Sequence, residues 1–583
     1  MRFWYNPNFL VIVALLLLSI PALKSLAIPG FYTSHDGETH VARIAQYYQA
    51  LADGQFPPRF AGSFYNGLGS PIFVYIYPLP YLLGSLIHTF GFSFTDSFEA
   101  VMALGFIFSA LFSYFWLKEV FKSEKAAFLG ALFYVWVPYR FSLIYVRASI
   151  SEHLAYTFLP LILYSFTKLK EKQSLLWISS GAIFFALVLL SQNLVAMISL
   201  PIIGGYILVL GIWGKSLKYL LKSAISIAWG FAIASVTYIP SLFEMKFVRF
   251  KDIISSTYDN HFVTLRQLIR SPWGYGFDLS GTVNDEMSFQ VGLAHLLILV
   301  LAILLFFYFL LQRFSYIKRI GRKYIENVQS YHLVLSLFFL TGLIFSVLIM
   351  LEIHLVRLIW QNIKFLNLID IPWRFLGIAV LAMSFLTAFV AKSLKPGFLF
   401  LFLIIAVLIA NRNHLRINKT QILDDDFFKN YTGHATQYSE FTPKWRQTVS
   451  IPIGFDPQVK TEVISGEAKI NNIRSKSNQI SFEAAVISPI AQLRINKFFF
   501  PGVKVSVDNE LLTSSKDLII PEFENSRLKK EQDSTGVILI NLEKGSHQVT
   551  AEFGETRLRL FADYLSLGSL VLAIGFVVKN VKK

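Results

Sequence analysis

Twelve apolar stretches of near-spanning length constrain this chain more than any other feature: 9–28, 97–117, 125–145, 154–168, 174–191, 194–212, 222–243, 288–311, 331–353, 374–393, 396–410 and 563–579. A helix rises about 1.5 Å per residue, so about 20 apolar residues cross a hydrocarbon layer of about 30 Å. Backbone polar groups find no water there, which leaves helices whose bonds close within the segment. The chain has 583 residues, of which 54% are hydrophobic and 16% aromatic, and its mean hydropathy is +0.52. That composition excludes a soluble globular protein and predicts a polytopic α-helical membrane protein with about twelve spans.

The formal charge of +16 invites a nucleic-acid reading, but the Lys and Arg residues form no single basic face. They cluster between apolar stretches: Lys118, Lys122 and Lys125; Lys168, Lys170 and Lys172; Lys215, Lys218 and Lys222; Arg313, Lys318, Arg319, Arg322 and Lys323; Lys392 and Lys395; and Lys579, Lys582 and Lys583. Every second connection is basic. By the positive-inside rule these lie in the cytoplasm of a cell bounded by a cytoplasmic membrane, both termini are inside, and the loop 29–96 is external. The stretch 71–92 is apolar enough to be mistaken for a span, but Pro71, Pro78 and Pro80 interrupt it, and counting it would invert the rule at every later loop. It is expected at the outer interface. The stretch 9–26 lacks a small-residue cleavage site and reads as a retained anchor. Cysteine is absent, so there is no disulfide framework, thiolate metal site or Cys nucleophile.

The expected organisation is a membrane domain over 1–410, an extracytoplasmic β-rich domain over 411–562, and a final span with a basic tail over 563–583. In the β region QISFEAAV, AQLRINKFFF, KVSVDNELL, GVILINL and HQVTAEF read as strands, punctuated by Pro501-Gly502, Asp508-Asn509 and Lys544-Gly545. A small antiparallel β-sandwich is predicted, with Phe498 to Phe500 as core strand residues.

The strongest site candidates lie in the first external loop, TSHDGETHVARIAQYYQALADGQFPPRF at 33–60. Val41, Ile44, Ala45, Tyr48, Leu51 and Ala52 recur at helical spacing while His40, Arg43 and Gln46 fall on other faces, so an amphipathic helix along the membrane surface is predicted. Asp36 stands at its N-terminal end, where capping is the bland role. Asp36 and His40 lie one turn apart and can act as a base with an orienting group. His35, Asp36 and His40 offer a divalent-metal alternative, although they form no recognised metal motif. Glu38 and Arg43 join them as substrate contacts. The loop VRASISEH supplies Arg147, Glu152 and His153, and IPWR supplies Arg374; with Arg270, the arginines can hold a phosphate, whose oxygens suit a guanidinium fork.

An external acidic residue after the first span, followed by an amphipathic surface helix and a Pro-rich interfacial segment, resembles the C-type (GT-C) integral-membrane glycosyltransferases, which include protein O-mannosyltransferases and the lipid A aminoarabinose transferase. The stretch DGETHVARIAQYYQALADG looks like their first-loop segment. The resemblance implies a GT-C-like fold and an inverting transfer of sugar from a polyprenyl-phosphate donor to an external glycan, lipid or protein acceptor, with Asp36 as base. More closely, HDGETH, IPWRFL at 371–376, EFTPKW at 440–445 and FFFPGVKVSVDNELL at 498–512 resemble recurring segments of bacterial membrane proteins labelled "6-pyruvoyl-tetrahydropterin synthase-related", a label that implies no pterin chemistry. The Pro-rich segment carries Tyr65 and Asn66 where some GT-C enzymes carry an acidic residue, which weakens the metal expectation. A flippase would place polar residues at mid-depth of several spans, whereas 97–117, 174–191 and 396–410 are almost free of ionisable groups. A non-catalytic envelope scaffold, with Asp36 only a cap, is the third reading.

Overall fold

All twelve predicted stretches are helical in a computed structural model that describes residues 7–254, 257–276, 287–313, 329–395, 397–446, 459–512, 518–519 and 536–581. Among the described residues, eight helices are long and apolar enough to cross a membrane, from Phe9–Ala27 to Arg557–Asn580. Two bent pairs add two more passes: Glu124–Val135 with Pro138–Val146, at 48°, and Leu217–Ile233 with Ser235–Phe247, at 71°. The first bend falls at Pro138, which has no N–H to continue the ladder. The helices Ile150–Glu171 and Leu175–Ser191, the second a shorter apolar helix, fall on the two remaining predicted stretches. The chain is a multi-pass membrane protein.

The span Pro372–Ser393 is almost wholly buried and sits at the centre. Its Phe385 stacks on Phe339 of Ser330–Met350 with ring centroids 4.1 Å apart and also meets Trp116 of Phe94–Phe121. The peripheral spans instead expose large apolar side chains, as a lipid-facing surface requires. The segment 71–92 contains the helix Leu79–Thr89, whose 11 residues reach only about 16 Å. It does not cross, as the basic clusters required.

Alternate connections gather on one face. The His35 N–H donates to the Val146 carbonyl (3.0 Å), Phe31–Tyr32 pairs with Thr420–Gln421, Val248 bridges Pro443, and the Val263 N–H donates to Met350 (2.9 Å). On the opposite face Lys118, Lys122 and Lys168 pair with Glu119, Glu124 and Glu171. Of the remaining basic residues read as topology signals, Lys318, Arg319, Arg322, Lys323, Lys582 and Lys583 lie outside the described residues.

The C-terminal β region departs from the prediction in one respect. Among the described residues its strands are joined into one antiparallel sheet of seven that closes on a shared core, its two layers continuous through the long strands. QISFEAAV and AQLRINKFFF belong to a single strand, Gln479–Phe498, paired along its length with Val537–Phe553. The register shifts between Val486 and Ile490, where Pro489 has no ladder donor. Lys544-Gly545, predicted as a turn, lies opposite that shift inside a continuous strand. Both halves feed one core: Ile480, Phe482 and Val549 share it with Leu493, Ile495 and Ile540. Asp508-Asn509 does turn the chain, both residues at positive φ (52° and 68°), between Val503–Val507 and Glu510–Leu511. Phe498 and Phe500 are fully buried core residues, and they pack on Tyr65 and Tyr75 of the first loop.

Candidate active site

The predicted first-loop helix forms at Gly37–Ala52, but it does not lie open on a surface. His40, Arg43 and Gln46 are buried with its apolar face, because the chain from 429 to 441 covers the polar side. Gln46 donates to the Lys429 carbonyl (3.1 Å), and Arg43 donates through Nε and Nη2 to the Ala435 carbonyl (2.9 and 2.6 Å). Arg43 Nη1 also donates to the Tyr81 hydroxyl (3.0 Å), leaving that hydroxyl proton for His40 Nδ1 (3.1 Å). Burial, with the cations of Arg43 and Arg147 nearby, holds the His40 imidazole well below its ordinary pKa, so the ring is neutral.

Asp36 occupies the N-cap position, yet its side chain makes no capping hydrogen bond. The backbone is held instead by the VRASISEH loop, where the Arg147 carbonyl accepts from the Asp36 N–H (2.9 Å). That loop turns through Ala148 at φ 53°, a conformation costing a non-glycine residue about 1 kcal/mol. The close approach depends on Gly37: a Cβ there would stand 2.4 Å from Ser34 Oγ and 3.0 Å from the Ala148 Cβ. The Asp36 carboxylate is left about one-third exposed, its Oδ2 3.9 Å from Arg147 Nη2.

These groups open onto a cavity of about 650 Å³. Asp36, Arg43, Arg147, Asp370 and Arg374, with the neutral His40, form its charged side; Ile76, Leu194, Met245, Phe250, Leu368 and Ile371 are apolar; Tyr431, His434, Thr436, Gln437, Tyr438 and Glu440 close it from the chain before the sheet. The charged side is organised from behind by Glu152. This carboxylate is fully buried and accepts from Arg147 Nη1 (2.8 Å), from Arg374 Nη1 and from the Tyr139 hydroxyl. The rest of the Arg374 fork is taken by Asp370, with Nε and Nη2 each 3.0 Å from its oxygens. Arg147 differs: its guanidinium lies 4.8 Å from the Trp373 ring centroid, and among the described residues its Nη2 has no hydrogen-bond partner. The site therefore presents one guanidinium edge with donors to offer, steadied by a buried carboxylate and an aromatic face.

The sequence-predicted residues separate accordingly. His35, Asp36, His40, Arg43, Arg147 and Arg374 line the cavity. Glu152 and His153, expected to contact substrate, are fully buried and do not line it; His153 is spent on the Met102 carbonyl (3.0 Å). Glu38 and Arg270 do not line it either, and Arg270 is exposed. The metal alternative finds no convergent ligands: His35 Nε2 turns to the Tyr275 carbonyl (3.3 Å), His40 to Tyr81, and among the described residues no three His, Asp or Glu side chains come together to hold an ion. Sequence reasoning missed Asp370, one residue before IPWR, and Glu440, which opens EFTPKW. The segment EFTPKW carries a resemblance alone; nothing local in it points to a loop about 400 residues earlier.

No family model matches the chain. Over 222 residues it is 27% identical to an uncharacterised protein of Lactococcus lactis subsp. cremoris (strain MG1363), a match covering 37% of this chain and about a third, 36%, of that protein. Among solved structures it is similar to the apo Archaeoglobus fulgidus oligosaccharyltransferase, at 15% identity and a TM-score of 0.32, over 75% of this chain and 57% of that one. It is also similar to ArnT from Cupriavidus metallidurans bound to undecaprenyl phosphate, at 12% identity and a TM-score of 0.32, over 73% and 85%. Likenesses this distant assign no residue a role.

Proposed function

We propose that the protein is a GT-C-type glycosyltransferase of the cytoplasmic membrane, moving a sugar from a polyprenyl-phosphate donor to an extracytoplasmic acceptor with inversion. The alternating basic connections support an external cavity with both termini inside, by the positive-inside rule. The first-loop resemblance supports the class, and so does the finer resemblance carried by HDGETH, IPWRFL and EFTPKW. The observation that carries the reading is the uncapped Asp36 carboxylate beside the Arg147 guanidinium edge, in one cavity with a charged and an apolar side. An anionic headgroup on an apolar chain has that same division.

In this reading the donor phosphate lies against Arg147, with Arg374 adding charge but few free donors. The acceptor oxygen attacks the anomeric carbon as the carbon–oxygen bond to phosphate breaks, and the electron pair leaves on the phosphate. Asp36 takes the acceptor proton, a contribution of about 10² to 10⁴ in rate for a positioned base. Charge developing on the phosphate is met by guanidinium groups already fixed by Glu152, so little reorganisation remains at the moment of reaction. Neutral His40 and Tyr81 hold the first turn of the helix in place. The test is sugar transfer by purified protein in liposomes from a panel of radiolabelled polyprenyl-phosphate sugars, beginning with sugars linked to undecaprenyl phosphate, the lipid in the Cupriavidus structure. Transfer from at least one donor is expected; none from any donor would sink the reading.

A further inference from the structure

One wall of the cavity does not come from the membrane helices. Tyr431, His434, Thr436, Gln437, Tyr438 and Glu440 belong to a single strap between the helix Asp425–Lys429 and the sheet. The strap is fixed from several sides. Arg43 holds the Ala435 carbonyl, the Tyr65 and Asn66 N–H groups donate to Gly433 (3.0 Å) and Thr432 (2.8 Å), and the Lys444 N–H donates to Phe247 (3.0 Å). Trp445 Nε1 donates to the Phe499 carbonyl of the sheet (3.0 Å).

Its chemistry differs from that of the arginine wall. The strap puts no Lys or Arg into the cavity; it offers two phenols, an imidazole paired with Ser439, an amide, a hydroxyl and a carboxyl. Thr436 Oγ1 donates to Glu440 Oε2 (2.6 Å), which orients the carboxyl. Among the described residues no cation lies within ion-pair distance of Glu440. Arg43, the nearest cation to act on it, has two donors turned onto Ala435 and a third on Tyr81, and the other charge facing it is the carboxylate of Asp370. Burial holds the Glu440 carboxyl above its ordinary pKa.

We infer that the strap 431–441 is the acceptor subsite and that it takes an uncharged, hydroxyl-bearing saccharide, with Glu440 accepting a hydrogen bond from one acceptor hydroxyl. Amide, carboxyl and aromatic side chains together match the alternating polar edges and apolar faces of a sugar ring. An acceptor bearing phosphate or carboxylate would set its charge against Glu440 and Asp370, and the nearest cation, Arg43, already has its donors committed to Ala435 and Tyr81, an arrangement that works against such ligands. The inference rests on the glycosyltransferase reading, since it assigns the second substrate of that same cavity.

The test uses full-length protein in nanodiscs, an array of neutral and anionic oligosaccharides, and undecaprenyl phosphate as a separate probe. Wild type should retain neutral glycans in preference to anionic ones. Glu440→Gln and Gln437→Ala should each weaken that retention at least tenfold while binding of undecaprenyl phosphate is unchanged. Gln437 is exposed, so its variant guards against a simple folding failure. Preference for anionic glycans, or neutral binding untouched in both variants, would overturn the proposal. Binding of undecaprenyl phosphate with no glycan retained overturns it and leaves the donor reading standing; binding of neither overturns both.

Discussion

Glu152 shows how a single residue can govern a site without touching it. It is buried beneath Arg147 and Arg374 and bonded to both, so it decides where their charge points. Removing one partner of such a buried cluster strands the others, a cost of about 3–5 kcal/mol. Glu152→Gln should therefore lower stability by that order in chemical unfolding of the purified protein in detergent; a variant as stable as wild type would show that the arginines do not depend on it. The VRASISEH loop announced its polar residues plainly in the sequence. Their division of labour was not legible, because Arg147 and Glu152 are separated only by which way each faces when Ala148 turns the chain.

At the level of elements, the first-loop helix and the strap are one unit. The amphipathic pattern of Gly37–Ala52 was readable, but its polar face suggested water, and the true partner is the backbone from 429 to 435. Arg43→Met removes charge-assisted bonds worth about 1.5–3 kcal/mol each. Amide hydrogen exchange over 431–441 should accelerate at least tenfold in that variant, and unchanged protection would mean that the strap stands without the helix. The sheet meets the same loop through Lys497, whose ammonium donates to the Ser477 carbonyl (2.7 Å) over the Phe60 ring. Burial, with Lys460 nearby and Asp53 opposing, lowers its pKa to about 7. Because the folded value lies below the unfolded one, the unfolded chain binds more protons in that window, and stability rises as pH climbs from about 7 toward about 10, by up to about 1.4 kcal/mol per unit. Unfolding measured across that range should show the rise in wild type and lose it in Lys497→Met; equal slopes would place the titration elsewhere. The long strands around this contact were only half legible, since Lys544-Gly545 reads as a turn and lies opposite a shift of register.

For the whole molecule, the apolar stretches were enough to place the helices of a multi-pass membrane protein, eight to ten of them qualifying as spans among the described residues, and to leave 71–92 with only a short one. What they could not supply was the convergence of connections from both ends of the chain, because hydropathy carries no information about which loops meet. The final span is part of that convergence: Arg559 donates to both oxygens of Glu244 (2.7–3.1 Å) and packs on Phe553, binding sheet, span and loop together. The native chain has no cysteine, so orientation can be read directly. In intact cells a cysteine at the exposed Glu510 should react with an impermeant maleimide and one at the exposed Lys172 should not; the reverse pattern would invert the topology and move the cavity to the cytoplasmic face.

The mechanism proposed for this cavity depends on Asp36 being a reacting group and not a helix cap, and its side chain caps nothing. The most direct measurement is sugar transfer in liposomes by wild type and by Asp36→Asn, which keeps the shape and removes the base. The account predicts transfer by wild type and a fall of about 10² or more in the variant, with unfolding unchanged. Equal transfer by both proteins would contradict it.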